Sequence, residues 1–273
     1  IFGYTKEDFK TIILPMCNNG KEAIGSMGTD TPLAVLSKKP QLIYNYFKQL
    51  FAQVTNPPLD GIREEIITDT SLSLGSDYNI FNLIPDHAKK LKINNPIISN
   101  GDLEKIKYID HDDFKACSIN ANYEISKGHN GLEKALDMIV DKVEKKVDNN
   151  HNIIILSDRK TSKKYAPIPI LLVCSYVHHS LIKRKKRSKF GIVIESAEPR
   201  EPHHFSMLFG YGASAINPYM VNEIIEYHHK LGFLNEQKLD KSIDNFNKAI
   251  AKGILKVMNK IGISTLHSYR GAQ

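Results

Sequence analysis

Apolar positions along the first fifty residues recur at helical spacing and are cut by prolines and glycines. Thr5 followed by Asp8 is a cap signal, and Phe9, Ile12 and Ile13 continue one apolar face until Pro15, which is expected to end a short first helix. Gly20 to Pro32 (GKEAIGSMGTDTP) has turn composition with exposed backbone groups. A longer helix is predicted with Pro40 in its first turn and Leu42, Ile43, Tyr46, Phe47, Leu50, Phe51 and Val54 on its apolar side. Asn56-Pro57-Pro58 stops it, because Pro57 pushes Asn56 out of the α region.

Between Thr68 and His129 the pattern breaks into Ser, Asn, Asp and Gly clusters around short apolar runs, which reads as irregular apart from a helix near Asp102 to Tyr108. A helix carrying Leu132, Leu136, Ile139, Val140 and Val143 then opens a regular region. There, apolar β-branched runs at Ile153 to Leu156, Ile192 to Ile194 and Ala213 to Ile216 alternate with helices at Pro169 to Lys183, His203 to Phe209 and Val221 to Leu231. Runs apolar on both faces and separated by helices predict βαβ units and a parallel sheet. A long helix, Leu239 to Lys260, precedes a last expected strand at Ile263 to Leu266. The expected fold class is therefore α/β, a parallel sheet with flanking helices preceded by a mostly helical N-terminal segment.

Composition adds little. At 273 residues, with 41% hydrophobic and 25% charged, the chain can bury one large core or two ordinary ones. A net charge of +7 permits an acidic partner without requiring one. No run of about 18 apolar residues is present to span a bilayer, and IFGYTKEDFK lacks the pattern of a signal peptide. Cys17, Cys117 and Cys174 are too far apart for a metal-ligand spacing or a disulfide framework, which favours a reducing compartment. With Ile1 first and GISTLHSYRGAQ last, the chain reads as a piece of a longer one.

Several features invite chemistry, each beside a plainer reading. Lys183 to Lys189 (KRKKRSK) places six positive charges in seven residues, as a nucleic-acid patch would, but no aromatics interleave it and it sits at a helix-to-strand turn. The pairs His178-His179, His203-His204 and His228-His229 could suggest a metal, yet adjacent helical residues point about 100° apart and do not share an ion easily. Ser157-Asp158-Arg159, Glu195-Ser196 and Asn217-Pro218 end predicted strands, where open parallel sheets bind ligands; the same residue types also cap helices. Gly25 to Pro32 lets backbone N–H groups approach a ligand but matches no phosphate-binding fingerprint.

Longer strings carry more. GSMGTDTPLAVLS (Gly25 to Ser37), YFKQLFAQVTNPPLDGIREE (Tyr46 to Glu65), LSDR (Leu156 to Arg159), APIP (Ala166 to Pro169), VHHSLI (Val177 to Ile182), the HHF and GYGA around Phe205 and Tyr211, and INPY (Ile216 to Tyr219) together resemble the central domain of glutamate synthases, in collinear order. GISTLHSYRGAQ (Gly262 to Gln273) is similar to the start of that family's flavin-binding barrel. Asp69 to Asn150 and the Lys/Arg run match least well.

The resemblance implies residues 1–235 as central domain and 236–273 as the truncated start of the FMN-binding domain. It implies an oxidoreductase in which ammonia released from glutamine travels through a tunnel to 2-oxoglutarate, the 2-iminoglutarate so formed being reduced by hydride from FMN. In this chain it implies no catalytic residue and no metal ligand. FMN contacts are expected from Ser26, Met27, Gly28, Ser264, Thr265 and Ser268, and tunnel lining from Thr55 and Asn56. FMN and an iron–sulfur cluster belong to the full-length enzyme, and neither is expected to stay bound to this piece alone. Implied partners are the glutaminase and FMN-binding domains of the same polypeptide and an electron donor, either an NAD(P)H-oxidising subunit or domain or ferredoxin; nucleic acid and membrane are not. A cytoplasmic or plastid location, not a secreted one, follows. The competing reading is a stand-alone phosphate- or nucleotide-binding α/β protein.

Overall fold

The computed structural model describes residues 1–23, 32–47, 61–79, 81–234 and 238–272. Its N-terminal helix starts on a capping box: the Thr5 side chain accepts from the Asp8 N–H at 3.1 Å, and the Asp8 carboxylate accepts from the Thr5 N–H at 2.8 Å. After α1 (Lys6–Asp8) the backbone widens into a π turn (Phe9–Ile13) and runs on into α2 (Leu14–Asn19), ending at Gly20 in the left-handed region. Pro15 does not end the helix. The Leu14 N–H reaches back five residues to the Phe9 carbonyl, and this wider register just ahead of Pro15 accommodates a ring and a missing donor that a uniform α-helix would not.

Of the helix predicted from Pro40 to Val54, residues 40–47 form only a 3₁₀ turn, Ile43–Tyr46, with Phe47 extended; residues 48–54 lie outside the described part. Burial explains the difference. Tyr44, off the expected apolar face, is fully buried while Tyr46 is 53% exposed, so seating Tyr44 sets the local backbone.

Next come α3 (Gly61–Ile67), the antiparallel pair β1 (Leu72–Leu74) and β2 (Leu91–Ile93), and α4 (Asn100–Lys107), whose first turn the Ser99 hydroxyl caps at Asp102. β3 (Ala116–Asn120) and β4 (Asn122–Glu124) follow, then α5 (Gly128–Asp148), β5 (Ile153–Ser157), β6 (Tyr165–Pro167), α6 (Ile170–Lys183), β7 (Gly191–Glu195), α7 (Pro202–Gly210), β8 (Ala215–Asn217), α8 (Tyr219–Lys230) and α9 (Leu239–Lys260). The stretch read as irregular thus holds an edge strand of the main sheet. β3 went unseen because its Ala-Cys-Ser-Ile-Asn sequence is only half buried and has no apolar run.

The main sheet is parallel in the order β3-β5-β7-β8, with β5 and β7 wholly buried. Alternate side chains serve two cores. Ile154, Leu156, Ile192 and Ile194 pack into a large cluster with α5, α6, α7 and α9, whereas Ile153, Ile155 and Val193 meet Leu74, Ile93, Leu103 and Ile106 from the β1–β2 and α4 layer. The β8 edge is covered too: Ile216 donates to the Pro96 carbonyl at 2.8 Å and accepts from Ile98 at 2.9 Å. A flanking pair, β4 and β6, runs antiparallel beside α5.

The strand expected at Ile263 to Leu266 is instead a two-bond junction followed by α10 (Leu266–Tyr269). Asp69 donates to the Ser264 carbonyl and accepts from the Leu266 N–H, after which Leu266 turns into the core at 1% exposure. The Leu266 side chain gains more by burial here than the backbone would by extending with a single partner residue. No described helix is long and apolar enough to cross a membrane.

Candidate functional site

At the carboxyl edge of the sheet the three strand-end motifs converge. Asp158, fully buried, accepts from the Ser196 hydroxyl, from the Ala197 N–H at 3.2 Å and from the Tyr219 hydroxyl. Burial pushes its carboxyl up to about 6 against these donors. Two residues past Ser196, Glu198 accepts from Tyr44 at 3.3 Å and from the Ile170 N–H at 3.1 Å, so it caps α6 from a distance. Its carboxyl is pushed up to about 7, first by burial and then by the Asp158 charge nearby. Arg159 stacks over the Tyr219 ring at 4.2 Å and reaches Glu195 at 3.0 Å and Glu223 at 2.9 Å, while Lys107 approaches Glu195 from α4 at 3.0 Å. Asn217 donates to the Ile98 carbonyl and to Asn100.

Over this edge lies the N-terminal segment. Tyr4 donates to the Ala197 carbonyl at 2.8 Å; Arg200 packs over the Tyr4 ring at 4.0 Å and donates to the Phe2 and Gly3 carbonyls. Asp158 with Ser196 and Arg159 with Glu195 therefore bond one another across strands, while the Asn217 amide nitrogen ties the end of β8 to Ile98 and Asn100. Tyr44, Glu198, Tyr4 and Arg200 were missed in the sequence. The available signal was the charged stretch Glu198-Pro199-Arg200-Glu201-Pro202 directly after an apolar strand, where a loop would normally be solvated.

Among the described residues no group of three or more His, Cys, Asp or Glu is arranged to hold a metal. Burial raises the Cys17, Cys117 and Cys174 thiols to about 12, 11 and 12, so none is poised as a thiolate. All three histidine pairs lie in helices, with individual structural roles. His178 accepts from Arg187 at 2.9 Å and is held neutral, burial lowering it to about 4; His204 stacks on Tyr44 and His228 on Phe9. The basic run is largely an internal staple. Arg184 pairs with Asp141 and Glu144, Lys186 with Glu144 and Asp148, and Arg187 donates to the Phe190 and Gly212 carbonyls.

Of the residues expected at the flavin, Ser26, Met27 and Gly28 lie outside the described residues, as do Thr55 and Asn56. Ser264, Thr265 and Ser268 are exposed at the start of α10, with the Thr265 hydroxyl donating to Ser268 at 2.9 Å. They sit at the sheet's amino edge, far from Asp158: Gly271 donates to Gly210 at the end of α7, and Arg270 donates to Ser214 just before β8. Three exposed hydroxyls thus stand within five residues at this edge.

The sequence matches the family described as glutamate synthase central domain over residues 1–273. It is 41% identical to the large chain of the NADPH glutamate synthase of Bacillus subtilis, covering all of this chain and 18% of that protein. It is also 41% identical to the NADH glutamate synthase of Schizosaccharomyces pombe, covering all of this chain and 13% of that one. Identity to the ferredoxin-dependent glutamate synthase 2 of Synechocystis is 38%, again over all of this chain and 18% of the relative. Among solved structures, a flavocytochrome b2 variant aligns with 48% of the chain and 31% of its own at a TM-score of 0.36 and 13% identity, too slight a likeness to define the fold. The match over residues 1–273 and the full-chain identities mean that this chain, which spans 13% to 18% of the length of those three relatives, belongs to the glutamate synthase central domain family.

Proposed function

We propose that the chain is the connecting part of a glutamate synthase, an oxidoreductase that makes L-glutamate from 2-oxoglutarate and glutamine-derived ammonia. The observation that carries this is the collinear match over the whole chain to three enzymes whose named electron donors differ. What they share over this stretch is then independent of the donor. FMN, when bound, supplies the hydride; this chain's residues position and enclose. In this reading the Ser26–Gly28 loop with Ser264, Thr265 and Ser268 forms one wall of the FMN site, and Thr55 and Asn56 line the ammonia path. Anchoring of the last segment through Asp69, Gly210 and Ser214 supports it, since hydroxyls held by a fixed backbone lose less freedom on binding. The glutaminase and flavin domains of the same polypeptide are the proposed neighbours, with an NAD(P)H-oxidising partner or ferredoxin as donor and a cytoplasmic or plastid location. An iron–sulfur cluster, if the whole enzyme holds one, is carried elsewhere in that polypeptide. The proposed boundary near residue 235 divides sequence rather than core, because α9 packs against α2 and α7.

The test is Asn56→Ala in the full-length enzyme. The ratio of glutamine consumed to 2-oxoglutarate converted should rise under saturating reductant, with activity on added ammonia retained. An unchanged ratio with normal expression would remove Asn56 from the ammonia path.

A further inference from the structure

The two edges of the main sheet are finished differently. Beyond β8 the chain itself supplies a further row of bonds, through Pro96 and Ile98 on Ile216. Beyond β3, among the described residues, no strand, bridge or backbone hydrogen bond is found. The inner side of β3 is committed to β5: the Lys115 carbonyl accepts from Ile153 at 3.2 Å, the Ala121 N–H donates to Ser157 at 2.7 Å, and the parallel register between them sets Ala116 beside Ile153 and Asn120 beside Ser157. Bonding direction alternates along a strand, so Cys117 and Ile119 also bond β5, while Ala116, Ser118 and Asn120 turn their N–H and C=O groups outward. Ser118 and Asn120 are exposed.

Open edges are ordinarily blunted by a charge, a proline, a bulge or a covering segment. β3, with the sequence Ala-Cys-Ser-Ile-Asn, has neither charge nor proline, and it pairs with β5 residue by residue without a bulge. The helices beside this edge are close to neutral. α5, on the Cys117 and Ile119 face, carries five acids and four lysines, and α4, on the Ala116 face, carries two of each. The net charge of +7 is therefore located elsewhere, and a like copy meets little repulsion here.

A two-fold axis at Ser118 matches the facing side chains in kind. Ser118 stands opposite its own copy, hydroxyl to hydroxyl. Cys117 stands opposite Ile119 on the α5 face, apolar to apolar, and Ala116 stands opposite Asn120, a pair without charge. Such pairs stabilise an antiparallel ladder, whereas like charges directly opposite destabilise it. In this register Ala116, Ser118 and Asn120 each exchange both outward backbone bonds with the second copy.

We propose that β3 is a homotypic pairing edge: two copies of this chain join antiparallel through Ala116–Asn120 about a two-fold axis at Ser118, merging their main sheets into one. The interface is isologous, so it closes on itself and stops at a dimer. α5 then lies beside the α5 of the second copy on one face, and α4 beside α4 on the other.

The experiment is sedimentation velocity of the full-length polypeptide over a concentration series, with Ser118→Lys and Ser118→Asp prepared separately and then mixed. Ser118 is exposed and its backbone groups face away from β5, so neither change disturbs the main sheet. Wild type should dimerise. Each variant alone should associate about tenfold more weakly at low salt, because a charge there meets its own copy, and should recover as salt rises. The equimolar mixture, in which opposite charges meet, should associate more tightly than either variant alone. A wild type that stays monomeric up to its solubility limit would overturn the proposal; a neighbouring domain seated on the edge would give that result. Association unchanged in both separate variants, which a different interface would give, or a mixture no tighter than its components, would overturn it equally. None of these outcomes bears on the reading of the chain as part of a glutamate synthase, which is judged by ammonia transfer.

Discussion

Glu198 makes the stability of this fold depend on pH in a direction opposite to that of a surface carboxylate. Buried at 6% exposure, it accepts from Tyr44 and from the first N–H of α6, and its carboxyl rises from 4.5 to about 7. Below pH 4.5 folded and unfolded chains both hold its proton. Between 4.5 and about 7 the folded chain keeps a proton that the unfolded chain has released, so stability falls as pH rises through this window and levels off above it. A displacement of that size corresponds to a loss of about 3 kcal/mol, part of which arises only when Asp158 is also ionised. Glu198→Gln retains a carbonyl oxygen for both donors and removes the ionisation. At pH 5 its denaturation free energy should lie within about 1 kcal/mol of wild type; at pH 8 it should exceed wild type by about 1–3 kcal/mol. Urea unfolding of the 273-residue chain followed by circular dichroism at both pH values gives these quantities. A difference between the two proteins that is the same at pH 5 and pH 8, or one that favours the variant more at pH 5 than at pH 8, would refute the assignment.

Arg200→Ala should release the N-terminal segment from the sheet edge, because the Phe2 and Gly3 carbonyls lose their donor and Tyr4 its stacked partner; amide exchange at Tyr4 to Asp8 should accelerate, with a stability loss of about 2–4 kcal/mol. Gly191→Ala should cost about 1–3 kcal/mol, since a Cβ there would overlap Leu74 of the β1–β2 layer; adding Leu74→Ala should make the double mutant's loss smaller than the sum of the two single losses, and strict additivity would argue against that contact.

Periodicity exposed the helices and buried strands of residues 128–260 because burial on both faces of a sheet leaves long apolar runs. α9 was bounded at Leu239 and Lys260, as observed. It failed where tertiary contacts outweigh local preference. Tyr44 is drawn into the core by Glu198, a residue 154 positions away, and no local pattern carries that. Pro15 is tolerated through a register change that a rule based on proline alone does not contain. The convergence of Ser157-Asp158, Glu195-Ser196 and Asn217 was legible from their positions at strand ends, but not that Asp158 would bond Ser196 and Arg159 would bond Glu195.

The packing of α2 against α9 also governs when this fold can close during synthesis. Asn245 donates to the Cys17 carbonyl across 228 positions, and Lys256 reaches Glu22 across 234. Within this chain α2 therefore has its main packing partner more than 200 residues further on. The βα units from β5 to β8 have short separations and can assemble while translation continues, but Met16 and Cys17 of α2 lack their α9 neighbour until it emerges. At about 5–20 residues per second, that interval lasts roughly ten to fifty seconds, during which an apolar helical surface is open to chaperones or to mispairing with a second nascent chain.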